Sequence, residues 1–156
     1  MARKKQLRWE PAKPVAVNVR TALPRLMDRY FDAGRKLTTS KPSANSLHRF
    51  RLKTKRVRYT LELFLEHYGP GLDRRLNKLK DIQTLLGDIN DCATTLELLN
   101  DKALAGAAHR DSAAKYLEKR TRKKTNEFLK CWGEQFDAPG EGRRWRNYLS
   151  RATKAS

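Results

Sequence analysis

Cysteine is nearly missing from this chain. Cys92 and Cys131 are the only two, and they make neither a disulfide framework nor a metal knuckle. Both sit among ordinary helix-forming neighbours, which suits a reducing cytoplasm. No apolar run approaches the length of a membrane span. The opening stretch MARKKQLRWEPAKPV is charged and lacks the apolar core of a secretory signal. The expectation is a soluble cytoplasmic protein with no membrane partner. Runs of alternating β-branched residues are absent, as are a glycine-rich phosphate loop and a strand to precede one. His48, His67 and His109 do not combine into a recognisable metal triad. Acids are sparse, and Asp81, Asp88 and Asp91 stand at spacings ordinary for a helix surface, whereas hydrolysis of phosphoanhydrides needs clustered carboxylates or a positioned base. An enzyme is not expected, nor a metal, nor a cofactor.

What the chain has in excess is positive charge. Lys and Arg number 35 against 17 Asp and Glu, a formal +18 over 156 residues. Such an imbalance draws polyanions from a distance. Charge alone is compatible with nucleic acid, polyphosphate or an anionic lipid surface. RNA or single-stranded DNA binding is the alternative reading, but it calls for aromatics placed to stack on bases. Phe50, Phe64 and Tyr68 fall on an apolar helix face instead, and no helix-turn-helix or RNP pattern stands out.

Helical periodicity runs through most of the sequence. Residues 1–14 form a basic, proline-containing arm expected to be flexible. The first helical pattern covers 15–37 through Val19, Leu23, Leu26, Tyr30, Ala33 and Leu37, with Pro24 predicting a kink or a helix that begins near Thr21. After TTSKPS, with Ser43, Asn45 or Ser46 as caps, one helix is predicted over 47–68 and stops at Gly69-Pro70-Gly71. A third helix spans about 72–100 on Leu79, Ile82, Leu86, Ile89, Ala93 and Leu96. Residues 103–108 read as a turn or a weak helical start. A fourth helix covers about 110–136 with Leu117, Thr121, Phe128, Trp132 and Phe136 inward. Residues 137–156 read as a tail, with one short helix at 143–149 or none. The predicted fold is all-α, an up-down bundle of about four long helices over 15–136 with basic terminal arms.

The second helix carries two stripes. Leu47, Phe50, Thr54, Val57, Leu61, Phe64 and Tyr68 alternate at three and four, the seam of a helix packed in a bundle. One residue along, the same steps give His48, Arg51, Lys55 and Arg58, a ladder roughly 15 Å long. With Arg49, Lys53 and Arg56 the helix holds seven bases within eleven residues, and no acid follows until Glu62. Like charges three and four apart weaken a helix by a few tenths of a kcal/mol per pair. Arg49, Lys53 and Arg56 point further from the seam and read as solvated flank positions. The four-residue ladder reads as a ligand site for a row of anions. On the third helix Lys80, Gln83, Gly87 and Asn90 form a polar stripe beside the seam; if it meets the ladder, Gln83 and Asn90 would orient Arg side chains or donate to a ligand. Gly87 implies either close approach of a ligand or a close helix crossing.

HRFRLKTKRVRYTLELF followed by LKDIQTLLGDINDCATTLELL resembles the CHAD domain, the conserved histidine α-helical domain. The first block places His48, Arg51, Lys55, Arg56, Arg58 and Tyr59 on the family pattern, and the second places Leu79, Lys80, Ile82, Gln83, Leu86, Gly87, Asn90 and Asp91. The resemblance implies a non-catalytic helical module that binds inorganic polyphosphate, as an adaptor or a granule-targeting domain. It makes His48, Arg51, Lys55 and Arg58 anion ligands, with Arg56 and Lys80 weaker candidates; the role of Tyr59 stays open. Family members typically carry two such halves and this chain holds one His-x-x-Arg block, so it resembles a C-terminal-type half. A homodimer completing the site is the resulting expectation.

Overall fold

The computed structural model describes residues 9–101 and 106–151. The basic stretch 1–8, residues 102–105 with the first part of the expected turn at 103–108, and the end of the chain at 152–156 lie outside the described residues. Six helices and no strand occur among the described residues: α1 (Val15–Thr38), α2 (Ala44–Glu62), α3 (Leu65–Tyr68), α4 (Pro70–Asn100), α5 (Ala107–Gln135) and α6 (Glu141–Arg151). None is long and apolar enough to cross a membrane. In space α6 packs on α1, α1 on α2, α2 on α4 and α4 on α5.

The arm reaches α1 through Asn18. Its side-chain oxygen accepts from the Glu10 N–H at 2.8 Å, and its amide donates to the carbonyls of Glu10 and Lys13. Helix α1 then runs through Pro24 without the restart near Thr21 that this residue suggested. The lost backbone bond is accommodated because Pro24 is buried among Leu23 and Met27, where packing holds the turn. The inward face centres on Met27, Phe31 and Gly34 as well as the predicted Val19, Leu23 and Tyr30; Leu26, Ala33 and Leu37 pack at its edge. Gly34 is required sterically, since a methyl group there would overlap the Trp132 ring. Of the three candidate caps, Ser43 caps α2, accepting from the Ser46 N–H at 3.1 Å.

The helix predicted over 47–68 is interrupted. It ends at Glu62, turns at Leu63 and Phe64, and resumes as the single turn α3. The Phe64 N–H bonds to Leu61 only three residues back, a tightened last turn. The break leaves Tyr68 inward, where its hydroxyl donates to the Leu149 carbonyl at 2.8 Å. Gly69, at φ 69°, makes the left-handed bend that only glycine takes cheaply, and Pro70 opens α4 at once.

The core is one aromatic-rich cluster. Tyr30 stacks on Phe50 at 5.1 Å, Trp132 stacks on Phe136 at 5.0 Å, and Trp145 reaches Phe136 at 6.2 Å. The buried Thr54 in the α2 seam is satisfied by the Tyr30 hydroxyl at 3.0 Å and the Phe50 carbonyl. Burial pushes the Tyr30 phenol far above its ordinary range, so it stays neutral there. Helix α6, left open between a short helix and a loose tail by the sequence, buries Trp145 and Leu149 in this cluster.

Candidate anion-binding site

The second stripe of α2 lies along the α2–α4 crossing. Its seam, Leu47, Phe50, Thr54, Val57 and Leu61, is buried as the periodicity predicts, and this fixes the roll of the helix. With that roll, Arg51, Lys55 and Arg58 come out half-buried and His48 exposed. Arg49, Lys53 and Arg56 are exposed on α2, and Lys80 is exposed on α4.

The polar stripe of α4 meets the ladder in antiparallel order. The ring nitrogen Nδ1 of His48 donates to Asn90 Oδ1 at 2.6 Å. An amide oxygen only accepts, so this contact makes Nδ1 the protonated nitrogen and leaves Nε2 uncommitted. Next along, Arg51 lies against Gly87; a Cβ on that glycine would meet Arg51 Nε at 3.9 Å and nothing nearer. The crossing of the two backbones therefore does not demand a glycine. Arg51 Nε is itself buried without a hydrogen-bond partner. A buried donor with no partner is costly, on the scale of about 1–3 kcal/mol.

Arg58 is held differently. Its Nε donates to Gln83 Oε1 at 2.9 Å, and its Nη1 pairs with Glu62 Oε1 at 2.7 Å. The guanidinium carbon lies 4.4 Å from the centroid of the Tyr59 ring, a cation–π contact that gives Tyr59 a place beside the ladder. The Arg58 side chain is only 13% exposed. In the sequence Glu62 stands out only as the first acid after the run. The four-residue spacing of Arg58 and Glu62 on a helix was the signal for their pairing.

Among the described residues, no carboxylate pairs with Arg51, Lys55, Arg56 or Lys80. Asp88, on α4, is turned to the other side, where Lys124 of α5 approaches it at 3.5 Å. No group of three or more His, Cys, Asp or Glu side chains that could hold a metal ion occurs among the described residues. Cys92 and Cys131 are free thiols, the first buried and the second partly so. Burial, with Asp81 and Glu134 nearby, pushes the Cys131 thiol above its ordinary value.

Chemically the arrangement is a shallow line of donors. It has one buried guanidinium nitrogen without a partner, one uncommitted imidazole nitrogen, one unpaired ammonium, and a clasped arginine at its far end. A family model described as the CHAD domain matches residues 2–100, well over half of the chain. No curated protein and no solved structure matches it.

Proposed function

Since the chain belongs to the CHAD domain family, which is associated with polyphosphate and triphosphate binding, we propose that it is a non-catalytic module binding inorganic polyphosphate along α2. His48, Arg51, Lys55 and Arg58 are the principal ligands in this reading, with Arg56 and Lys80 as outer contacts. The observation that carries it is the Arg51 Nε, buried beside Gly87 without a partner in a row of bases that no acid interrupts before Glu62. A phosphate oxygen would satisfy that donor, and guanidinium groups bind phosphate with charge-assisted hydrogen bonds. Catalysis is disfavoured by the placement of Asp88 toward α5, away from the ladder. The cellular role that fits is an adaptor or granule-targeting protein in the cytoplasm. One ladder makes one wall, and a second copy related by a two-fold axis would supply the other.

Titration calorimetry with long-chain polyphosphate, coupled to light scattering of the complex, tests this. Arg51→Ala and Lys55→Ala should each weaken binding by roughly tenfold, the scale of one charge-assisted hydrogen bond, while Arg49→Ala changes it less than threefold. Affinity should fall steeply with salt through counterion release. Equal losses at Arg49 and Arg51 would reduce the site to diffuse charge. Displacement of polyphosphate by RNA at equal charge concentration would favour nucleic acid as the ligand. Phosphate release with Mg²⁺ or Mn²⁺ would reveal an enzyme, and a monomeric complex would remove the second copy.

A further inference from the structure

The ladder does not end at His48. Beyond it, on the side away from Arg51, residues of α2 and α4 line a cleft of about 410 Å³. Its apolar lining combines Leu47, Leu86 and Ile89, buried members of the core, with Ala44 and Ala93 nearer the surface. Its polar lining differs in kind from the ladder: Asn45, Thr94 and Glu97 join the His48–Asn90 pair, and no Lys or Arg is among them. Ladder and cleft are collinear, because residues 44 and 45 precede His48 on α2 while 93, 94 and 97 follow Asn90 on α4.

This composition does not suit more phosphate. Glu97 has no ion-pair partner among the described residues and would repel an anion placed beside it. A carboxylate, two amides and a hydroxyl over an aliphatic floor suit a neutral group that is flat or ring-shaped and carries its own N–H and O–H donors. The volume lies in the range of small-molecule sites, about 300–1,000 Å³. The axial distance from Lys55 to Asn45, roughly 15 Å by helix rise, matches an extended nucleoside 5′-triphosphate. We propose that the cleft is a nucleoside subsite, so that this face takes a nucleoside triphosphate with its sugar and base at Thr94 and Glu97. The phosphates then run past His48 onto Arg51 and Lys55. Glu97 accepts hydrogen bonds from sugar hydroxyls or an exocyclic amine, and it also sets the direction of the ligand. The proposal rests on the reading of the ladder as a phosphate site.

Charge alone predicts the opposite preference, which makes the test decisive. Inorganic tripolyphosphate carries more negative charge than a nucleoside triphosphate and lacks only the nucleoside. Calorimetry on the full chain, at fixed ionic strength and without divalent cations, would compare ATP, GTP, CTP and UTP with tripolyphosphate and long-chain polyphosphate. At least one nucleoside triphosphate should bind about tenfold tighter than tripolyphosphate. Thr94→Trp, an exposed position where the indole fills the cleft without entering the core, should abolish that preference, as should Glu97→Ala. Both variants should leave long-chain polyphosphate affinity within twofold. The proposal is overturned if tripolyphosphate binds as well as every nucleoside triphosphate, if Thr94→Trp retains the preference, or if no nucleoside triphosphate binds. The long-chain titration tells these failures apart from failure of the phosphate site itself.

Discussion

Arg51 and Arg58 are the same residue type on the same stripe, yet their surroundings give them different capacities. Arg51 faces a glycine and keeps a buried donor open. Arg58 is already engaged by Gln83 at Nε, by Glu62 at Nη1 and by the Tyr59 ring, so a ligand must compete with a carboxylate for Nη1. Glu62 is thus an internal anion at one end of a cationic row. Glu62→Gln removes its charge and keeps an oxygen that accepts from Arg58 Nη1. If Arg58 is a rung, the variant should bind long-chain polyphosphate about two- to fivefold tighter, the effect of roughly 0.5–1 kcal/mol expected for a partly exposed charge pair. The slope of log K against log salt should also steepen by about 0.7, one further phosphate contact by analogy with single-stranded nucleic acid. Weaker binding in a calorimetric titration would instead make Glu62 a residue that orients Arg58 for its ligand. The motif pattern was sufficient to single out both arginines. The difference between them was not legible, because it depends on which α4 residue each one meets.

At the scale of elements, the paired faces of α2 and α4 were readable from two periodicities, and their register joins His48 to Asn90 and Arg51 to Gly87. The interruption after Glu62 was not, since Phe64 and Tyr68 continue the three-four rhythm across it. A break that leaves inward residues inward is invisible to periodicity. Gly87 shows the complementary limit: a mid-helix glycine announces that something approaches, without saying whether it is a helix or a ligand. With only Arg51 Nε within reach of a notional Cβ, Gly87→Ala is sterically free. Ala is favoured over Gly in a helix interior by about 0.8–1 kcal/mol, so thermal denaturation should show a midpoint roughly 2–4 °C higher. The same methyl fills the space beside the open Arg51 donor, and polyphosphate affinity should fall at least threefold. Higher stability with unchanged affinity would place the bound phosphate away from Gly87.

Taken whole, the molecule extends its core beyond the stretch that the family match covers. Residues 2–100 contain both blocks of the site, but Phe128, Trp132, Phe136, Trp145 and Leu149 come from the part after it. The sequence made 137–156 look like a tail because a Gly-containing break precedes it and its apolar pattern is short. What holds α6 is tertiary: Arg146 bonds Asp28 at 2.9 Å, the Tyr148 hydroxyl donates to the Tyr68 carbonyl at 3.0 Å, and Lys78 meets Glu141 at 3.3 Å. Such pairings across 63 to 118 positions leave no local trace in a single sequence. Trp145 lies in the core, where its ring meets Phe31, Phe136 and Arg75 of α4, and no ladder residue is among these ring contacts. Replacing a buried tryptophan by alanine costs about 3–5 kcal/mol, a large share of the roughly 5–15 kcal/mol that keeps a domain folded. Trp145→Ala should therefore lower the denaturation midpoint by roughly 6–20 °C, followed by circular dichroism at 222 nm. Polyphosphate affinity, measured well below that midpoint, should stay within twofold of the unaltered chain. An unchanged midpoint would make α6 a dispensable tail, and a lost affinity in the folded variant would tie the site to the packing around Trp145.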